Sequence, residues 1–232
     1  MKASKNLEML ALVARGLREL KDSVVFVGGA TVDMYVADSA AEPLRATDDV
    51  DCVVALMGRV AYHELEEKLR ALGFTHPFDD PKAPICRWRF SGISVDVMPM
   101  DAGVLGFSNR GYPEGVEHAE KRTLPDGQEI SVFTLPYFPA SKIEAFLGRG
   151  KGDFYGSEDM EDIVAVIDGA EDVRGKVLAA TPAVQAYIRE RFAEFLRDDV
   201  FLQCVPGHLG KAGPGRAERA LGVIRAIVSS PS

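Results

Sequence analysis

The sequence predicts an α/β (α+β) protein in which a mixed sheet is flanked by helices and followed by a helical carboxy-terminal region. Three observations lead there. Strand-length β-branched runs alternate with helix-spaced leucines in the first part of the chain. The pairs Ser91-Gly92 and Asp126-Gly127 punctuate apolar runs as hairpin turns do. From Pro136 onward only helical spacing remains, so the expected division is an α/β domain over 1–135 and a helical region over 136–232.

Leu7, Leu10, Val13, Leu17 and Leu20 share one face of a first helix. Ser23 to Val27 reads as a buried strand, broken by Gly28-Gly29 and followed by a short helical stretch through Tyr35. Val50 to Leu56 suits a strand, and Tyr62, Leu65, Leu69 and Leu72 suit a helix that Gly73 closes. Ile85 to Phe90 and Ile93 to Met98 form one expected hairpin, and Val116 to Leu124 with Gln128 to Phe133 a second. Helices are expected over Ala140–Leu147, Met160–Asp168 and Ala183–Leu196, then an exposed Gly- and Pro-rich loop between Cys204 and Arg216, then a final amphipathic helix. No repeat or low-complexity segment interrupts this order.

Composition narrows the function. Of 232 residues, 47% are hydrophobic and 27% charged, which is ordinary for a globular chain. A formal net charge of −8 argues against bulk electrostatic coating of nucleic acid, so an RNA or DNA partner would need a local basic patch. The amino terminus carries amphipathic spacing in place of a signal peptide's apolar stretch, no run is long enough to span a bilayer, and a cytoplasmic setting without membrane contact is expected. Cys52, Cys86 and Cys204 form no zinc pattern with the four histidines and are expected as buried thiols.

The candidate chemistry is carboxylate chemistry. In Asp49-Val50-Asp51 the period-2 geometry of a strand turns both acids to one face, where they can share a cation. In Ile93-Ser94-Val95-Asp96-Val97 the apolar residues take one face and leave Asp96 on the other, where an unpaired carboxylate calls for a cation. Asp96 standing alone there would destabilise the metal-free fold, and an Asn in its place would relieve repulsion. Mg²⁺ prefers such hard oxygen ligands and keeps positions open for phosphate. Gly28-Gly29 at a strand-to-helix turn suits close approach of a phosphate. A Rossmann site fits less well, because the glycine spacing differs and the acids precede their apolar run.

Val27-Gly28-Gly29-Ala30-Thr31 followed by Arg45-Ala46-Thr47-Asp48-Asp49-Val50-Asp51 resembles the Gly-Gly loop and Arg-x-Thr-x-Asp-x-Asp signature of AbiEii-type nucleotidyltransferases, members of the DNA polymerase beta superfamily. Lys142-Ile143-Glu144-Ala145, Arg149 and Asp159-Met160-Glu161-Asp162 are similar to that family's later motifs, so the resemblance runs from about Val24 to Asp168. It implies a polymerase-beta-like fold whose carboxy-terminal helices complete a cleft. It implies that Asp49, Asp51, Asp96 and Lys142 are catalytic and that the three aspartates hold Mg²⁺, two ions in all, with Mn²⁺ as a substitute. It also implies nucleotide contacts from Gly28, Gly29, Thr31, Arg45, Thr47, Lys142 and Asp162. Lys142 would sit against the triphosphate and be removable without unfolding the chain; the residues alone equally suit a solvated helix lysine. The insertion Gly150 to Gly156 leaves Asp153, Asp159 or Asp162 as the later functional acid.

The implied activity is transfer of a nucleoside monophosphate from a nucleoside triphosphate to an acceptor, a tRNA, protein or small molecule. Many family members are toxins, which implies a cognate antitoxin as a further partner. An antibiotic-modifying nucleotidyltransferase and a catalytically silent binding or antitoxin module are the alternatives. An RNA acceptor predicts a basic track, with Arg149, Lys151, Lys211 and Arg216 as candidates.

Overall fold

Val24–Val27 is a run of four buried apolar residues, and such a run belongs at the centre of a sheet, where both faces are covered. This strand, β1, lies third from one edge of a six-stranded sheet in the order β3-β4-β2-β1-β6-β5. The other strands are β2 (Asp49–Val54), β3 (Arg87–Phe90), β4 (Ile93–Pro99), β5 (Glu120–Thr123) and β6 (Glu129–Val132). The sheet is mixed: β1 is antiparallel to β2 and parallel to β6, β2 is parallel to β4, and the two outer hairpins are antiparallel. The structure, a computed structural model, describes residues 4–38, 41, 44–105, 109–210 and 214–230.

The chain divides into two compact units, Met1–Asp33 with Ala46–Thr134, and Met34–Arg45 with Leu135–Ser232. In the first unit, α1 (Lys5–Leu17) begins at Ser4, whose hydroxyl accepts from the Leu7 amide, and buries Leu10, Val13, Ala14 and Leu17. Helix α2 (Gly58–Ala71) buries Tyr62, Leu65 and Leu69. Both helices cover the sheet face that carries Trp88 and Phe90. Gly16 of α1 abuts the Phe90 ring, Arg70 of α2 lies over Trp88, and the Tyr62 hydroxyl donates to the Val97 carbonyl. Val50, Cys52, Val95 and Val97 are fully buried. Cys86, also in this unit, is buried like Cys52.

The second unit is helical. It contains α5 (Tyr137–Arg149), α6 (Glu158–Gly169), α7 (Val173–Leu178), α8 (Pro182–Phe195), α9 (Asp199–His208) and α10 (Pro214–Val228). Four of these starts are capped by side chains that the sequence supplies in order: Ser157 before α6, Asp172 before α7, Thr181 before α8 and Asp198 before α9. Phe146, Phe154, Phe195 and Phe201 pack ring against ring at the core.

Two expectations are corrected. Val116 and Glu117 end a short helix, α4 (Tyr112–Glu117), instead of beginning a strand, because Pro113 at its first turn and the small Gly115 against the Phe133 ring favour the helical path. The stretch expected as a loop after Cys204 continues α9 to His208 with Pro206 inside it, because Phe201, Cys204 and Val205 bury a helical stripe that outweighs the proline. Short helices at α3 (Ala102–Leu105) and at α7 carry too little periodicity to be read from sequence.

The β3–β4 hairpin turns on Ser91 and Gly92, both left-handed at φ 49° and 83°. An added Cβ at Gly92 meets nothing within 4 Å, so Gly92→Ala tests backbone strain alone. We expect it to lower stability by about 1 kcal/mol in urea denaturation. An unchanged midpoint would contradict this turn geometry.

Candidate metal centre

Register builds the site. In the parallel pair β2/β4, Asp51 stands opposite Asp96, and in the neighbouring antiparallel pairs Asp51 stands opposite Val27 and Asp96 opposite Arg87. Cross-strand neighbours share a face, so Arg87, Asp96 and Asp51 form one row, and Asp49 follows two residues along β2. One oxygen from each of Asp49, Asp51 and Asp96 lies within 4.8 Å of the others. Asp96 is buried while Asp49 and Asp51 are half-buried. Three hard carboxylate oxygens converging on a partly open point are a donor set that fits a divalent cation such as Mg²⁺.

The flanking residues position these acids. Gly28 has φ 76°, and a Cβ there would overlap the Asp51 carboxylate, so glycine is required twice over: for the backbone and for the space. Thr31 is fully buried and its hydroxyl donates to the Gly28 carbonyl at 2.9 Å, which fixes the turn; Gly29 opens the 3₁₀ segment between them. The Thr47 hydroxyl donates to Asp49 Oδ1 at 2.9 Å, and the Thr47 amide donates to Asn6 Oδ1 at 3.0 Å. Asn6 in turn donates to Asp33 at 2.7 Å. Sequence reasoning missed Asn6 and Asp33; the available signal was a polar residue on the inner side of α1.

Arg87 was also missed, and it changes the reading of Asp96. Its Nε donates to Asp96 Oδ1 at 2.8 Å and its Nη2 to Oδ2 at 2.7 Å, a bidentate pair, while Nη2 lies 3.6 Å from Asp49. The bonds to Asp96 outweigh burial and hold the Arg87 pKa above its ordinary value. Asp96 is therefore not alone on its face. The expectation that removing its charge would relieve the metal-free fold is overturned, because an Asn there forfeits a charge-assisted pair. The signal lay in the hairpin: with Ser91-Gly92 at the turn, residues 87 and 96 pair.

Lys142, Asp162 and Arg45 gather in the other unit. Lys142 is buried, with Nζ 3.1 Å from Asp159 Oδ1 and 2.6 Å from Asp162 Oδ2. Arg149 grips Asp159 through Nε and Nη2 at 2.9 and 2.8 Å. Arg45 lies 3.3 to 3.5 Å from Glu158, Glu161 and Asp162 along α6. Lys142 is thus neither a solvated lysine nor a side chain that can be removed without structural cost. Asp153 caps its own loop by accepting from the Tyr155 and Gly156 amides, whereas Asp159 and Asp162 carry the ion network.

Burial, the largest influence on Asp159, pushes its pKa up, but the Arg149 bonds and the Lys142 charge together hold it below the usual carboxylate range. Of the basic track, Arg149 and Lys151 are exposed; Arg216 is engaged with Asp168 and Asp38; Lys211 lies outside the described residues. Burial raises the Cys86 and Cys204 thiols to about 12 and about 11, and raises Cys52 well above its ordinary range.

Three outcomes follow. Gly28→Ala is expected to fold but to displace Asp51, which abolishes any thermal stabilisation by Mg²⁺; an undiminished metal response in a melting scan would sink this role for Gly28. Lys142→Ala leaves two buried carboxylates short of a partner and is expected to cost about 3 kcal/mol in denaturant unfolding. Because the Asp159 pKa is lowered on folding, its contribution is present above the unfolded value of about 4 and is lost as pH falls through the folded value. Asp159→Asn should therefore flatten the acid limb of the stability profile below about pH 4. Compared with known proteins, the chain matches no family model and no curated protein.

Proposed function

We propose that this chain is a Mg²⁺-dependent nucleotidyltransferase of the DNA polymerase beta superfamily, of the AbiEii type, with a polymerase-beta-like fold in its first unit. The observation that carries the reading is the convergence of Asp49, Asp51 and Asp96 beside the Gly28 turn. Asp49 and Asp51 would hold the metal with Asp96 completing the set. Metal bound there supplies charge neutralisation for triphosphate oxygens and favours ionisation of an acceptor hydroxyl. The chain's own contribution is orientation: Thr47 fixes Asp49, Gly28 leaves room for Asp51, and the parallel register fixes Asp96. Lys142, Arg45 and Asp162 enter this reading through the motif resemblance, as does a tRNA, protein or small-molecule acceptor.

A second reading draws on Arg87. A triad in which one carboxylate is already matched by a guanidinium can be stable without metal, as a silent nucleotidyltransferase-like binding module requires.

The deciding experiment incubates the protein with each labelled nucleoside triphosphate, Mg²⁺ and a cell lysate, and then separates RNA, protein and small molecules. Label is expected in one fraction, and Asp51→Asn is expected to lower its incorporation at least about a hundredfold while the far-UV spectrum is retained. No incorporation with any triphosphate, or full activity in Asp51→Asn, would overturn the enzymatic reading.

A further inference from the structure

The carboxylate row contains its own cation. Arg87 spends both arms of its guanidinium fork on the two oxygens of Asp96 and extends the second arm to 3.6 Å from Asp49. The pair is set by the hairpin register, since Arg87 and Asp96 are direct partners across β3 and β4. It is not a chance meeting of long surface side chains: the Asp96 side chain is 11% exposed and Arg87 30%. A divalent cation drawn to the point where the three acids converge has to share or take Asp96 oxygens that already accept two charge-assisted hydrogen bonds. It also approaches a fixed positive charge at short range, where repulsion in a partly desolvated setting is large.

We infer that Arg87 is a resident counter-cation that competes with divalent metal for Asp96 and so sets the metal affinity of the triad. This rests on the metal-site reading above. Without metal, Asp96 is held by the Arg87 pair, and loading the site means displacing that pair from one or both carboxylate oxygens. Arg87 is then a positioning residue that acts through Asp96. It keeps a buried carboxylate satisfied until metal arrives, and it makes the site selective for a cation strong enough to displace a guanidinium.

The test is Mn²⁺ binding to the full chain, read as loss of the free-ion paramagnetic resonance signal, for the unmodified protein, Arg87→Gln and Arg87→Lys. Arg87→Gln is expected to bind Mn²⁺ at least about tenfold more tightly. Without metal it should melt at lower temperature and regain the difference on adding Mn²⁺. Arg87→Lys, which keeps the charge but loses the fork, should fall between the two proteins. Circular dichroism checks folding, and if Arg87→Gln does not fold, tighter binding by Arg87→Lys than by the unmodified protein decides in favour and equal or weaker binding against. Equal or weaker Mn²⁺ binding by a folded Arg87→Gln overturns the competition while leaving the metal site standing. Absence of Mn²⁺ binding in every one of these proteins overturns both the site and the competition.

Discussion

The in-register parallel pairing of β2 with β4 is the constraint on which the site depends. Six consecutive residue pairs, from Asp49 with Ser94 to Val54 with Pro99, are held in that ladder. Because successive side chains alternate between faces, a slip of one residue would turn Asp96 into the packed face beside Val50 and Trp88 and bring Val95 or Val97 to the acids. The register is protected by the cost of that exchange. Val50, Cys52, Val95, Val97 and Trp88 are all fully buried, and burying a carboxylate among them in place of a valine costs several kilocalories per mole. The hydrophobic face of the sheet thereby fixes the chemistry of the opposite face, although the two share no atoms.

The two units handle buried charge differently. In the sheet unit, Arg87 pairs bidentately with Asp96 and lies 3.6 Å from Asp49, and Asp51 converges on the same point. In the helical unit, Asp159 has both Lys142 and Arg149, and Asp162 has both Lys142 and Arg45, so the acids there are matched by bases. A network matched pair by pair contributes rigidity and specificity of packing, whereas carboxylates gathered at one point repel one another and favour a bound cation. The same residue type, aspartate, thus serves two ends according to the charges around it.

Much of this arrangement was legible in the sequence, and the reasons are local. Gly28-Gly29, Asp49-x-Asp51 and Asp96 were found because paired glycines mark a turn and aspartate in an apolar strand violates propensity, and both signals stand out locally. The strands and long helices were found because their burial leaves a period. Asn6, Asp33 and Arg87 were missed for the opposite reason. Each is an ordinary polar residue in its own segment, and acquires meaning only from a partner on another element, 27 residues away for Asn6 and Asp33 and 9 for Arg87 and Asp96. Arg87 was the most accessible of these, since a hairpin turn once placed at Ser91-Gly92 dictates the pairing of 87 with 96. The partners of Lys142 were named in the motif, but its burial was not, because α5 is apolar around most of its circumference and the lysine sits within that wall. Helix α9 escaped notice because Pro206 and Gly207 speak locally against a helix that tertiary burial sustains.

The three buried thiols have a practical consequence. A thiol with a raised pKa and no access to solvent reacts slowly with maleimides and iodoacetamides, so Cys52, Cys86 and Cys204 are chemically quiet while the fold is intact. The chain is consequently a ready scaffold for single-site spectroscopic labelling without first replacing its native cysteines. A cysteine introduced at the exposed Met57 or Phe78 would be the reactive one, and a spin label or fluorophore there would report on the sheet unit without disturbing the carboxylate row.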